Sequence, residues 1–444
     1  MSTTPLWSHQ KNAVEKLLPL NNGALLMEMG TGKSLAGIEL LNKWNISKVL
    51  IVCPKAVAQI WGREFDKHSE GWSVTTLNTG SVAIKAKKLN WNGNKKAIII
   101  NYESAWHEPV AAWLLNNPPE CIIADESHKL KSPGGKASRY MAKLGRLVPK
   151  KLLLTGTIMP HSPLDVYGQF RFLNPHIFGF SFTRFRARYA ILGGYGNYEV
   201  KGWMNLEELH EKIYSVSYRV RADEVLSLPD FMDEVLTFEL SPKAMKIYRD
   251  LEKNLIADIE SGEVTVSNAM VKLLRLQQIT GGWLRADENE YPEAVDTGKA
   301  ELLKELLEGM GEEQVVVFCR YHMDLESIAA VCQDLGLAYA ELSGRRNELE
   351  KWEAKEAQVL MAQVQAGSLG IDLTQARYAV YYSTGFSLGE YEQSRARVHR
   401  PGQTRKVVYY HLICTKTVDE TVMKALEKRQ DLVKYVVDTL RSVK

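Results

Sequence analysis

Two short clusters in this sequence carry groups suited to phosphate chemistry. In the first, the apolar run Ala24–Met27 leads into Glu28-Met29-Gly30-Thr31-Gly32-Lys33-Ser34 and then into the helix-like Leu35–Leu41. A glycine loop between a strand and a helix gathers backbone N–H groups at a helix N-terminus, where they cradle phosphate oxygens. In that arrangement Lys33 reaches the β- and γ-phosphates of a nucleotide and Ser34 ligates Mg²⁺. The general form of such a loop has glycine six residues before the lysine, and here Met27 stands there. On this cluster alone, a glycine-rich turn with an incidental Lys-Ser pair remains an alternative.

About ninety residues on, the apolar run Cys121–Ala124 ends in Asp125-Glu126-Ser127-His128. An acid at the C-terminal edge of a strand, in the same sheet as the phosphate loop, can hold Mg²⁺ through water. Its neighbour Glu126 can orient and deprotonate the attacking water. Adjacent acids on a turn are usually just solvated; acids placed directly after a buried strand and behind a phosphate loop seldom are. The pair lowers the incidental reading sharply.

Such groups need rigid elements to place them. Short β-branched runs recur with helical stretches between them, at Ala24–Met27, Val49–Cys53, Ala97–Asn101, Cys121–Ala124 and Leu152–Thr155. A second set lies at Val315–Cys319, Ala338–Leu342, Val359–Gln363, Ala379–Tyr382 and Val407–Ile413. Continuous apolar strands separated by helices predict parallel sheets covered on both faces, and two sets predict two α/β lobes. The stretch from Leu164 to about Met310 is mostly helical in pattern, broken at Gly281-Gly282. The lobe boundary is expected near Pro229–Asp233, giving 1–232 and 233–444.

Composition sets the outer limits. A chain of 444 residues with 45% apolar and 25% charged residues can bury two or three cores. No apolar run approaches the roughly 18 residues of a membrane span. Met1–Leu6 lacks a basic-then-apolar signal pattern, so a cytoplasmic protein is expected. Cys53, Cys121, Cys319, Cys332 and Cys414 are scattered singly and read as reduced core residues. The net charge of +3 is unevenly spread: Ser127–Tyr198 holds twelve Lys/Arg and one acid, Asp165, whereas an acidic loop spans Asp287–Asp296. Such segregation points to one basic face, as a polyanion-binding protein needs.

With these residues in view, the sequence resembles superfamily-two helicases, and within them the Swi/Snf-type DNA translocases, in order along nearly the whole chain. Trp7-Ser8-His9-Gln10 is similar to the adenine-reading motif, with Gln10 as the reader. Met29–Ser34 resembles motif I, where the first glycine is not required. Val52-Cys53-Pro54-Lys55 with Trp61 and Glu64 is similar to motif Ia, and Asn101-Tyr102-Glu103 to motif Ib. Asp125–His128 resembles motif II, followed by Lys129 and Lys131 where the family places DNA-facing residues. Leu154-Thr155-Gly156-Thr157 resembles motif III, although Ile158 and Met159 precede Pro160. In the second half, Val317–Arg320 is similar to motif IV and Ala366–Thr374 to motif V. The most specific stretch, Gln393-Ser394-Arg395-Ala396-Arg397-Val398-His399-Arg400-Pro401-Gly402-Gln403, has the motif VI form of the Swi/Snf branch.

The resemblance implies two RecA-like lobes, each with a parallel sheet covered by helices and an inserted helical protrusion, at about 163–226 and 240–290. It implies ATP and Mg²⁺ as cofactors and double-stranded DNA as the track. Nucleotide contacts fall to Gln10, Met29, Gly30, Thr31, Gly32, Lys33, Ser34, Asp125, Gly370 and Asp372, with Ser34 and Asp125 on the metal. Glu126 is the base, Lys33 the phosphate lysine, and Arg397 and Arg400 the arginine fingers; three apart, they can share one helical face. Arg395 points elsewhere and reads as structural or DNA-facing. His128, Thr155, Thr157 and Gln393 couple nucleotide to track, and Lys55, Lys129, Lys131, Arg320 and Ser368 meet DNA phosphates.

Other readings share parts of this set: a strand-separating DNA or RNA helicase, the motor subunit of a restriction or defence complex, or a nucleotide-switched clamp. Compactness points to a bacterial or phage source. Trp91, Trp106 and Trp113 read as packing residues. His107, His161, His176 and His210 lack metal-ligand spacing. Phe182–Tyr189, with three arginines among aromatics, is the best candidate nucleic-acid surface outside the motifs.

Overall fold

A computed structural model describes residues 3–427 except 161, 195–198, 227, 261–265, 285–291 and 366–370. The contacts divide the chain into two units, Met1–Ser227 and Leu228–Lys444.

In the first unit the strands are β1 (Asn22–Met27), β2 (Lys48–Cys53), β3 (Ser73–Leu77), β4 (Lys96–Asn101), β5 (Cys121–Asp125), β6 (Lys150–Thr155), β7 (Ala190–Gly193), β8 (Glu199–Trp203) and β9 (Ser217–Val220). Among the described residues, seven of them form one parallel sheet in the order β3-β4-β2-β5-β6-β1-β9, and β7 pairs with β8 in a separate hairpin. Side chains alternate faces along each strand. Leu25, Met27, Val49, Ile51 and Ile123 accordingly pack on one side with Val14, Ile38, Trp61 and Phe65. Ala24, Leu26, Leu50, Val52 and Ile122 pack on the other with Leu114, Met141, Leu144 and Phe170. This double coverage is why the strands read as unbroken apolar runs.

The five expected strands of this half are all present. β3 and β9 were not legible, because SVTTL and SYRV are short and polar where they form the sheet's two edges. The segment 163–226, expected as a helical protrusion, is therefore mixed. Its helix Val166–Leu173 lies in the core through Val166, Tyr167, Phe170 and Leu173, and the chain then returns to the sheet as β9. Gly168 permits that approach, since a Cβ there would lie 2.1 Å from the Leu130 carbonyl oxygen, in the turn after Asp125-Glu126.

In the second unit the strands are β10 (Phe231–Phe238), β11 (Trp283–Leu284), β12 (Glu293–Ala294), β13 (Val315–Cys319), β14 (Tyr339–Leu342), β15 (Val359–Gln363), β16 (Tyr378–Tyr381) and β17 (Val407–Cys414). Among the described residues, six form a parallel sheet ordered β10-β17-β16-β13-β15-β14. β10 starts at Phe231 and the division of the chain precedes it, ahead of the expected 232/233 boundary. Its burial alternates along FMDEVLTF, the pattern of an edge strand, which hid it among more apolar neighbours. The helices Pro242–Glu260 and Val266–Thr280 end at the expected Gly281-Gly282 break, where Gly282 has φ +95. They do not stand apart as a protrusion: Tyr248, Leu255, Leu273 and Leu276 belong to the same cluster as Val316, Phe318 and Leu360. Part of the acidic loop Asp287–Asp296 lies outside the described residues. All five cysteines are free and buried. Among the described residues, no helix is long and apolar enough to cross a membrane.

The second core also encloses charge. Lys299 Nζ lies 2.9 Å from Asp419 Oδ2, with side-chain exposures of 2% and 7%. Thr280 Oγ1 donates to the other carboxylate oxygen at 3.0 Å. Removing one partner leaves an unpaired buried charge, which costs about 3–5 kcal/mol. Lys299→Met is therefore expected to move the urea transition of the second unit down by that amount and leave the first unit's unchanged. A shift under about 1 kcal/mol would contradict the assignment of this pair as a core contact.

Candidate active site

The phosphate loop is built by β1 running into the helix Lys33–Lys43. Gly30 (φ +80) and Gly32 (φ +78) both sit in the left-handed region, which a side chain would strain. Gly32 is also the residue preceding the helix, so the turn exposes N–H groups at that helix start. Thr31 is buried and its hydroxyl donates to the Glu28 carbonyl at 2.6 Å; Lys33 Nζ lies 3.4 Å from the same oxygen. Met29 and Ser34 are half-buried on either side of the turn.

Gln10 reaches this loop from the helix Ser8–Leu17. Its Nε2 donates to the Thr31 carbonyl at 3.1 Å, and its Oε1 accepts from the Trp7 N–H at 2.9 Å. His9 Nε2 lies 2.8 Å from the same Thr31 carbonyl. A Cβ on Gly32 would come within 2.1 Å of Gln10 Nε2. As found, both ends of the Gln10 amide brace the loop, so reading an adenine would require it to exchange these partners.

Asp125 closes β5 and is 7% exposed. Its Oδ2 accepts from the Trp61 indole at 2.8 Å, its Oδ1 from the Glu126 N–H at 2.9 Å, and its carbonyl from the Tyr102 hydroxyl at 2.8 Å. Burial pushes its pKa up and the Glu126 charge pushes the same way, against the Trp61 hydrogen bond and the nearby Lys33. A carboxylate whose charge is penalised in this way fits a hard divalent cation, with the Ser34 hydroxyl as a second oxygen donor beside Lys33.

Glu126 has φ +49, a left-handed conformation unusual for a residue with a side chain. His128 Nδ1 lies 3.3 Å from Glu126 Oε2 and 3.4 Å from Thr155 Oγ1. Thr155 Oγ1 in turn accepts the Thr157 N–H at 3.1 Å. A continuous polar chain thus joins Glu126 at the end of β5 to Thr155 and Thr157 at the end of β6. Lys55 and Lys129 are exposed and Lys131 is half-buried, all on turns that follow β2 and β5.

In the second unit, the Arg320 N–H donates to Ser383 Oγ at 2.8 Å. Gln393 is half-buried on the helix Leu388–Val398. Asp372 is exposed, and its Oδ1 accepts from Thr374 N and Oγ1. Arg397 and Arg400 do not share a helical face: the helix ends at Val398, His399 leaves the helical region at ψ 87, and Arg400 lies in the turn beyond. Pro401 disfavours helix at the residue before it, and Gly402 takes φ +108. Arg397 is buried, whereas Arg400 Nη1 lies 3.2 Å from the Ile371 carbonyl and its Nε is buried with no hydrogen-bond partner among the described residues. Gln403 Nε2 reaches the Thr374 and Ala376 carbonyls, so motif VI is tied to the segment after motif V. Arg395 is structural: it grips Asp233 with two nitrogens, at 2.7 and 3.0 Å, and lies over Phe231 and Tyr409. Ser368 and Gly370 lie outside the described residues, as does His161.

Phe185 and Tyr189 of the 182–189 helix are core residues, and Arg188 Nε pairs with Glu208 at 3.0 Å. Trp91 packs against Trp113, with ring centroids 5.8 Å apart. Sequence reasoning gave no role to the Trp61 indole or the Tyr102 hydroxyl as holders of Asp125. Their only signal was a place in motifs Ia and Ib, since their reach across the sheet follows from β4-β2-β5 adjacency.

Residues 9–281 match the SNF2-related domain family and residues 298–402 the Helicase conserved C-terminal domain. The chain is 24% identical over 464 residues to "Putative protein p41" of Acyrthosiphon pisum secondary endosymbiont phage 1, covering 98% of both. It is 23% identical over 491 residues to the CHD3-type chromatin-remodeling factor PICKLE of Arabidopsis thaliana, covering 98% of this chain and 33% of that one. With the DNA repair and recombination protein RDH54 of Saccharomyces cerevisiae it shares 23% over 468 residues, covering 91% and 50%. It thus spans half or less of these two longer relatives. Among solved structures it is similar to the Sulfolobus solfataricus SWI2/SNF2 ATPase core in complex with dsDNA, at 21% identity and a TM-score of 0.47, with 99% and 94% covered.

Trp61→Phe keeps the ring and deletes the N–H that orients Asp125. Losing such an outer hydrogen bond should weaken cation binding about tenfold or more. The Mg²⁺ concentration that half-saturates binding of a fluorescent ATP analogue is expected to rise accordingly. An unchanged Mg²⁺ requirement would remove Trp61 from the site.

Proposed function

The chain belongs to the SNF2-related family and carries the helicase C-terminal domain, an ATP-hydrolysing, helicase-like enzyme, and from that premise we propose that it is a double-stranded DNA translocase. The observation that carries this reading is the polar chain from Glu126 through His128 to Thr155 and Thr157, beside the phosphate loop. It supplies a base for water at the nucleotide and a route from that base toward the rest of the motor.

In this reading Lys33 and the N–H groups of Met29–Gly32 hold the phosphates, and Gln10 sets the loop. Mg²⁺, held by Ser34 and Asp125, would neutralise phosphate charge. Glu126 orients and deprotonates the attacking water, and Arg397 and Arg400 stabilise charge on the γ-phosphate as it leaves. Gly370 and Asp372 of motif V are assigned to nucleotide contact, and Gln393 of motif VI, with His128, Thr155 and Thr157, to coupling. Nucleotide binding and release then drive steps along one strand, held mainly through its phosphates by Lys55, Lys129, Lys131, Arg320 and Ser368. The duplex track is supported by the motif VI form at Gln393–Gln403 and by relatives named for chromatin remodelling and DNA repair. The phage relative supports a cytoplasmic setting in a bacterial or phage-infected cell.

Glu126→Gln is expected to bind ATP normally and turn it over at least about a hundredfold more slowly, as loss of a general base does. Turnover near the unaltered rate would place the base elsewhere.

Duplex DNA is expected to stimulate hydrolysis more than single-stranded DNA or RNA, and to be traversed without strand separation. Triplex displacement without unwinding of a forked duplex is the expected pair of results. Binding should weaken steeply with salt, with a log–log slope of several units, because phosphate contacts dominate. Efficient unwinding without triplex displacement, or stimulation by RNA alone, would overturn the duplex track and leave the ATP site standing.

A further inference from the structure

Lys85 lies on the short helix Val82–Lys87, outside every motif above, and is only 5% exposed. Its ammonium donates to Asn101 Oδ1 at 3.1 Å and to Ser104 Oγ at 2.8 Å. Both acceptors are neutral, and among the described residues no carboxylate stands within ion-pair distance of it. Burial lowers its pKa from the usual lysine value, and the charge of Lys55 lowers it further, with Glu103 opposing. A cation buried against neutral acceptors, with a second cation for a neighbour, costs free energy that packing alone does not demand. An apolar side chain would fill the space at lower cost.

The residues that Lys85 holds flank a third contact. Between Asn101 and Ser104 stands Tyr102, 3% exposed, whose hydroxyl donates to the Asp125 carbonyl at 2.8 Å. Asn101 Nδ2 also donates to Glu103 Oε2 at 2.7 Å, which fixes the turn internally. One four-residue turn at the end of β4 is therefore gripped on one side by a buried cation that feels the charge of Lys55. On the other side it grips the backbone of the residue that carries the metal-binding carboxylate.

We propose that Lys85 is a positioning residue that transmits binding of a nucleic-acid phosphate at Lys55 to Asp125, through the turn Asn101–Ser104 and the Tyr102 hydroxyl. The inference rests on the nucleotide and track reading above. A phosphate at Lys55 offsets the positive charge that weakens Lys85, so the hold on Asn101 and Ser104 is stronger in the track-bound state. That difference between states is what a coupling requires.

The test uses the full chain and the variants Lys85→Met, Tyr102→Phe and the two combined. ATP turnover is measured without nucleic acid and with saturating polymer, using whichever of duplex DNA, single-stranded DNA or RNA stimulates the unaltered chain most. Unstimulated turnover is expected to stay within about twofold in Lys85→Met, and in each single variant the ratio of stimulated to unstimulated turnover at saturating Mg²⁺ falls about fivefold or more. Affinity for the polymer should change little in Lys85→Met, in contrast to Lys55→Ala, which should weaken it. The double variant should lose no more stimulation than the worse single one, because both interrupt one connection. Losses that multiply overturn the shared route. Equal losses with and without polymer make Lys85 an ordinary packing residue and also overturn it.

Should Lys85→Met fail to fold, Tyr102→Phe, which deletes one hydroxyl, is read alone, and undiminished stimulation there overturns the proposal. If RNA or single-stranded DNA stimulates and duplex does not, the duplex reading falls while this test proceeds on the active polymer. If none stimulates, both fall.

Discussion

A carboxylate buried under a phosphate loop is the constraint on which the first unit depends. Asp125 is held at the sheet's edge by the Trp61 indole, the Glu126 N–H and, through its carbonyl, the Tyr102 hydroxyl. Burial and the adjacent Glu126 both disfavour its charge. Such a group is tolerable only where the surroundings fix it and where a cation arrives to neutralise it. The parallel order β4-β2-β5-β6-β1 meets the first condition, because it sets motifs Ib, Ia, II, III and I side by side along one edge. The phosphate loop, with Lys33 and Ser34, meets the second. Trp61 reaches Asp125 from the helix after β2, and Tyr102 reaches it from the turn after β4; neither contact survives a change in strand order.

The second unit uses a different device. The segment that carries Arg397 and Arg400 is tied down by amide hydrogen bonds, an ion pair and aromatic faces. Gln403 fastens the turn after motif VI to the Thr374 and Ala376 carbonyls, and Arg395 locks the helix to β10 through Asp233. Arg400 is thereby held in a turn, with a buried Nε that makes no hydrogen bond among the described residues. A guanidinium left with an unused donor is suited to a partner that is present only part of the time, as a γ-phosphate is.

Much of this was legible in the residue order. Most of the ten expected strands were clear because interior parallel strands are largely apolar; the short edge strand β14 (YAEL) was legible with them despite Glu341, and the acids after Cys121–Ala124 were clear because they interrupt such a run. What escaped was whatever depends on an edge or on adjacency in space. β3, β9 and β10 are edge strands with polar or alternating sequences, so periodicity did not separate them from loops. The helices 166–173, 242–260 and 266–280 read as protrusions because their aromatic and charged residues resemble a surface, yet Phe170 lies in the first core and Tyr248, Leu255, Leu273 and Leu276 in the second. Arg397 and Arg400 were placed on one face by spacing alone, and Pro401 ends the helix before the second of them. Lys85 carried no signal at all, because a lone lysine in a short helix is ordinarily solvated.

The central claim is that nucleotide and track act on one another through this chain, and thermodynamic linkage tests it most directly. Duplex DNA affinity would be measured with and without a non-hydrolysable ATP analogue, and analogue affinity with and without saturating duplex. Linkage requires both affinities to shift by the same factor, expected at about fivefold or more. Two affinities that each remain unchanged by the other ligand would contradict the account.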